Sequence, residues 1–69
     1  MFIYLVWHGD YEDREVMGAY STHELAVAAS YRIHGKLSAY SIERVTLDED
    51  NDFEVWWSNE TQRYESYLK

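Results

Sequence analysis

Tyr20-Ser21-Thr22-His23-Glu24-Leu25-Ala26-Val27-Ala28-Ala29-Ser30-Tyr31-Arg32-Ile33-His34-Gly35 is the stretch that decides how this chain folds. Ser21 can accept a hydrogen bond from the free N–H groups that open a helix, Glu24 three residues later completes a capping box, and Tyr20 and Leu25 occupy the hydrophobic-staple positions. The pattern predicts a helix over 22–34 that stops at Gly35, because glycine takes the left-handed conformation of a helix end without a steric penalty. On a helix of 3.6-residue period, Leu25, Ala26, Ala29 and Ile33 share one face, flanked by Ala28 and the stem of Arg32. Alanines there let a sheet approach closely. Val27 and Tyr31 fall on the opposite side as an exposed apolar pair, together with His23 and His34.

Working outward, Phe2 to His8 is rich in β-formers, with Ile3, Leu5 and Trp7 on one face and Phe2, Tyr4, Val6 and His8 on the other. Both faces are apolar. Gly9 to Asp13 is a polar turn and Arg14 to Tyr20 the returning strand of a hairpin, in which Gly18 marks a bulge or a close helix contact. Tyr40 to Leu47 is a third strand whose apolar phase changes between Tyr40/Ile42 and Val45/Leu47, as a bulge near Glu43-Arg44 would cause. Asp48 to Asp52 is a charged loop, and Phe53 to Trp57 a fourth strand. In the tail, Tyr64, Tyr67 and Leu68 stand at helical spacing, whereas Ser58 to Thr61 equally turns a hairpin into a strand over Gln62 to Tyr67. The hairpin is preferred, since a solitary fourth strand with two tryptophans gains from pairing. The expected fold class is α+β: a ββαβ order with a C-terminal β element, one antiparallel sheet of three to five strands, and one helix on one face. The other face must then meet the C-terminal segment, a second copy or a partner.

Sixty-nine residues make a single small domain, residues 1–69, near the size at which one core leaves only a few kcal/mol of stability. There is no cysteine, so no disulfide helps it. The apolar run from Phe2 to Trp7 is shorter than a signal peptide or a membrane span requires, and a cytoplasmic protein without membrane contact is expected. Thirteen Asp and Glu face six Lys and Arg, a formal net charge of −7, alongside three Trp, seven Tyr and two Phe. The basic residues are scattered, so nothing neutralises a phosphate backbone and no direct nucleic-acid binding is expected.

No catalytic or cofactor residues stand out, and the expectation is a protein that is not an enzyme. His8 beside Asp10 lacks a nucleophile partner. His23 and His34 are too far apart on one helix to share an ion, and His8, His23 and His34 have no recognised metal spacing. Counting from Asp48, the positions where a calcium loop needs Gly and Glu hold Phe53 and Asn59. No metal and no cofactor are expected. Binding remains, and two surfaces qualify. Trp56 and Trp57 are adjacent in a strand, so one of them leaves the core, and with Val27 and Tyr31 they compose an aromatic patch of the kind that dominates hot spots. Asp10, Glu12, Asp13 and Glu15 form one acidic group and Asp48, Glu49, Asp50 and Asp52 another. On one edge, the two would offer a basic groove the carboxylate stripe of a DNA mimic.

The junction Gly18-Ala19-Tyr20-Ser21-Thr22-His23-Glu24-Leu25-Ala26, preceded by Tyr4-Leu5-Val6 and followed by Tyr40-Ser41-Ile42-Glu43-Arg44-Val45, resembles a family of small bacterial and phage proteins of unassigned activity. Its members share a G-x-Y-S-T-x-E-x-A strand-to-helix junction, an alanine-rich helix and a strand ending in acidic residues. The resemblance covers about two-thirds of the chain, leaves the tail from Phe53 unmatched, and implies a ββαβ fold. In outline the element order is also similar to small phage inhibitors of host RNA polymerase, although only Arg44 matches the arginines those carry after the helix. The first likeness implies a phage or bacterial origin and carries no activity over, and the second is architectural only. With the aromatic patch, the expectation is a non-enzymatic protein-binding module, a phage accessory protein that binds and modulates or inhibits a host protein in the bacterial cytoplasm. The acidic DNA mimic and a structural homodimer are the alternatives.

Overall fold

The computed structural model describes residues 1–38 and 40–68, apart from the side chains of Tyr11 and Leu68. Strand β1 (Phe2–His8) leads through a 3-10 turn (Tyr11–Asp13) into β2 (Glu15–Tyr20), helix α1 (His23–His34), β3 (Ile42–Thr46), β4 (Phe53–Ser58) and β5 (Arg63–Leu68). The strands form one antiparallel sheet in the order β2-β1-β3-β4-β5. This is the α+β architecture expected, with the tail as a strand. β5 pairs with β4 from Phe53↔Leu68 to Ser58↔Arg63, and the turn closes with Gln62 N–H donating to the Ser58 carbonyl at 2.9 Å. The C-terminal segment therefore widens the sheet, and among the described residues no helix lies over its second face. Among the described residues no helix is long and apolar enough to cross a membrane.

Helix α1 starts one residue later than the capping box predicts. Thr22 is its N-cap, and its Oγ1 accepts from the Leu25 N–H at 3.2 Å. That shift takes Tyr20 and Leu25 out of staple register, and Leu25 is exposed. Gly35 ends the helix as expected, at φ 76° with its N–H on the Tyr31 carbonyl at 2.9 Å. The buried face is Ala26, Ala29 and Ser30, with Ile33 partly buried, at i, i+3, i+4, i+7 spacing. Val27 is half-buried and packs on the core instead of standing exposed beside Tyr31. The small side chains let Val6 and Ile42 of neighbouring strands seat directly against Ala26 and Ala29, and these four form the fully buried core.

The bulge lies elsewhere than Glu43-Arg44. β1 and β3 stay in unbroken register from Phe2↔Thr46 to Val6↔Ile42, whereas on the other side Val6 pairs with Gly18 and Trp7 with Val16, leaving Met17 extra. The apolar phase change in β3 reflects its two faces: Ile42 points to the helix and Val45 away. The turn after β1 depends on Gly9, at φ 109°, where a Cβ would stand 2.6 Å from the Asp13 carbonyl oxygen. Gly9→Ala is expected to cost about 2 kcal/mol, read as a thermal midpoint lowered by roughly 10 °C.

The same register separates the two acidic groups. His8 pairs with Glu15 at one end of the sheet, and Phe2 pairs with Thr46 at the other. Asp10, Glu12, Asp13 and Glu15 thus sit at one end, while Asp48, Glu49, Asp50 and Asp52 sit at the opposite end. They do not share an edge: after the helix crossover β3 runs antiparallel to β1, so the turn after β3 lies at the end where β1 begins.

Candidate functional site

Leu5, Glu43, Trp56 and Glu65 are consecutive register partners across β1, β3, β4 and β5, so they form one row on one face. Val6 and Ile42, one residue along, face the helix; this row therefore faces away from it. Trp7 is on the same side as Leu5. Its indole N–H donates to Glu43 Oε1 at 3.3 Å, and its ring lies 6.2 Å from that of Trp56. Glu43 is buried among these groups.

A cation completes the floor. Arg14, just before β2, places its guanidinium carbon 4.6 Å from the Trp56 ring centroid and 5.1 Å from that of Trp7. Its Nη2 donates to the Tyr40 carbonyl at 2.8 Å. Both distances are in the range of cation–π attraction, and the hydrogen bond fixes the guanidinium plane. Tyr40 then turns its ring edge onto Trp56 at 6.2 Å and 70°, and meets Tyr67 of β5 at 5.9 Å with the two hydroxyls 3.5 Å apart. Beneath Arg14 and Tyr40, Trp56 is only 6% exposed, although no helix covers it. Tyr40 and Tyr67 remain 52% and 40% exposed.

Tyr40 reaches this place in a left-handed conformation, φ 57°, which a bulky side chain seldom adopts. The surrounding loop is tied down to hold it. Buried Ser30 donates to the Lys36 carbonyl at 3.1 Å, Ser41 donates to the Ser38 carbonyl at 2.6 Å, and the two hydroxyls are 3.4 Å apart. Asn59, in the β4–β5 turn, donates to the Leu37 carbonyl at 2.8 Å and accepts from the Trp57 indole at 2.9 Å. A cleft of about 340 Å³ opens beside Tyr40, walled by Tyr67, Asn59 and Glu60. The hydrogen bond with Tyr40 is the main reason the Tyr67 phenol is held above its ordinary pKa, and the charges of Glu65 and Glu60 add to it. A larger cleft of about 580 Å³ lies on the other side of Tyr40, between Arg14, Asp10, His8 and His34.

Trp57 takes the opposite side of the sheet. Its ring is 4.5 Å from His23 and 5.3 Å from Tyr64, and Tyr64 in turn packs 5.5 Å from Tyr4. His23 Nδ1 and the Tyr64 hydroxyl share a 2.8 Å hydrogen bond. Burial pushes the Tyr64 phenol well above its usual range, against the opposing charge of Arg44, whose guanidinium lies over Phe2 at 4.1 Å and Tyr64 at 5.2 Å. This cluster locks the first turn of α1 to β1, β4 and β5. It is packing, although Trp57 also borders the smaller cleft beside Tyr40.

Val27, Tyr31, Trp56 and Trp57 are therefore not brought together. Tyr31 is 55% exposed on the helix, Val27 and Trp57 pack towards the core, and Trp56 anchors the far face. The aromatic surface that does form uses Trp56 with Trp7, Tyr40, Tyr67 and Arg14. Strand parity links Trp56 to Trp7 and Tyr67 once pairing is known, but no local signal joins Arg14 to Tyr40, 26 residues later. No family model, curated protein or solved structure matches this chain.

Proposed function

We propose that the chain is a non-enzymatic binding module that takes a basic segment of a partner protein on the open face of its sheet. The observation that carries this reading is the Arg14 guanidinium seated on Trp56 and Trp7, an internal instance of the contact a partner's Arg or Lys would make. Next to it the exposed rings of Tyr40 and Tyr67, with Glu60, line a cleft of about 340 Å³. A net charge of −7 draws a basic partner in and opposes pairing with a second, equally acidic copy. The left-handed backbone of Tyr40 adds support, because strain of this kind persists where the side chain's position matters. The likeness of the Gly18–Ala26 junction to small phage proteins favours a host protein as the partner, modulated in the bacterial cytoplasm.

Titrating the protein against peptides carrying paired Arg or Lys, and against matched peptides with Ser in their place, tests this by tryptophan fluorescence and NMR shifts. Saturable, salt-sensitive binding of the basic set alone is expected. Tyr40→Gly should weaken it by about 10-fold or more, while the thermal midpoint moves little. Relief of the left-handed strain, about 1 kcal/mol, offsets the lost ring contacts, worth about as much. Tyr31→Ala should change neither quantity. Equal binding of the neutral peptides, or none of the basic ones, would overturn the reading.

A further inference from the structure

The fold brings His8, the last residue of β1, against His34, the last residue of α1, with the two Nδ1 atoms 3.3 Å apart and the ring centroids 5.0 Å apart. His34 Nε2 lies 2.7 Å from the Trp7 carbonyl oxygen. A carbonyl can only accept, so Nε2 carries a proton, and in the neutral form of the ring Nδ1 presents its lone pair on the side of His8. A metal-ligating histidine is commonly oriented in this way, with its second nitrogen held by a backbone carbonyl. Two Zn–N bonds of about 2.0–2.1 Å at a tetrahedral angle span close to the observed separation of the nitrogens.

From this geometry we propose that His8 Nδ1 and His34 Nδ1 form a two-imidazole site for a divalent transition metal such as Cu²⁺, Ni²⁺ or Zn²⁺. Before metal enters, His8 Nδ1–H donates to His34 Nδ1. On binding, the ion takes the place of that hydrogen, whose proton leaves Nδ1 while the exposed His8 ring is protonated at Nε2 from solvent, so the ring stays neutral. His34 ends α1, where the negative end of the helix dipole favours a cation. Asp10 lines the same cleft and adds negative charge; Arg14 lines it too, but its guanidinium is held on Trp56 and the Tyr40 carbonyl. Among the described residues no group of three or more His, Asp or Glu could hold an ion together, so solvent or a small ligand in the cleft fills the remaining positions. With two imidazoles only, affinity should follow the order Cu²⁺ above Ni²⁺ and Zn²⁺.

Tyr40 borders this cleft as well as the partner cleft, but neither His8 nor His34 is among the groups proposed to contact a partner, so each proposal can fail alone. Calorimetric titration with CuCl₂, NiCl₂ and ZnCl₂ tests it on the intact chain. One equivalent of metal should bind, and NMR should show changes centred on the His8 and His34 rings. His8→Gln and His34→Gln should each weaken uptake by about 10-fold or more, and His23→Gln should leave it unchanged. His8 is exposed, so its variant keeps the fold and decides the matter if His34→Gln proves unstable. Uptake unaffected by His8→Gln, or no saturable uptake at millimolar metal, would overturn the assignment.

Discussion

Trp56→Ala is expected to leave the protein largely unfolded at room temperature. The side chain is almost completely buried without a helix above it, so its cover consists of Trp7, Arg14 and Tyr40. Removing an indole from such a place costs about 3–5 kcal/mol, and a domain this small has little more than that in total. The loss spreads, because Arg14 and Tyr40 are positioned by the same ring. Circular dichroism against temperature should show the cooperative transition fall by more than about 15 °C, or vanish. Trp56→Phe separates fold from site: it should restore much of the stability while basic-peptide binding stays weakened, since the smaller ring holds a guanidinium less well. A melt unchanged in Trp56→Ala would mean that the ring is not the anchor of the open face.

Ile42→Ala should be nearly as severe, for a different reason. Ile42 is fully buried with Val6 against the alanine face of α1, where helix and sheet share the buried core. Alanines on the helix have no side chain with which to follow the retreating wall, so the cavity stays open. The expected cost is about 3 kcal/mol, measured as a lower denaturation midpoint at unchanged slope in a urea titration. Ile42→Val, which removes a single methylene, should cost only about 1 kcal/mol. Equal effects of the two variants would show that the helix settles onto the sheet and that close approach by Ala26 and Ala29 does not set the packing.

How legible all this was in the chain depended on the range of the interactions involved. Gly35 announced the helix end, because left-handed backbone is a property of one residue and its neighbours. Gly18 did the same for the bulge, which falls between its pairing and that of Val16. The N-cap was displaced by one residue because Ser21 and Thr22 offer the same chemistry, and which hydroxyl is used depends on how β2 leaves the sheet. Leu25 was expected on the buried face from helical periodicity, but the face that meets the sheet is centred on Ala26, Ala29 and Ser30 and leaves Leu25 exposed.

The candidate site was much less legible. Adjacent Trp56 and Trp57 were bound to point to opposite sides of a strand, but the chain did not say that the one turned from the helix would be the more deeply buried. Tyr40 read as a strand residue, whereas its left-handed backbone takes it out of the sheet and over Trp56. Acidic groups close in composition proved to lie at opposite ends, a consequence of strand direction alone.

The sequence by itself determined the elements up to the fourth strand, their order, the helix stop and the excess of negative charge, and left the tail open between strand and helix, since propensity, capping and strand alternation act over a few residues. Only the tertiary structure decided which aromatics share a face, that Arg14 rests on Trp56 beneath Tyr40, and that His8 meets His34 across 26 residues. Those meetings follow from strand order and pairing register. Both are settled by the burial of Val6 and Ile42 against a helix of small residues, a cooperative choice that no short window of residues encodes.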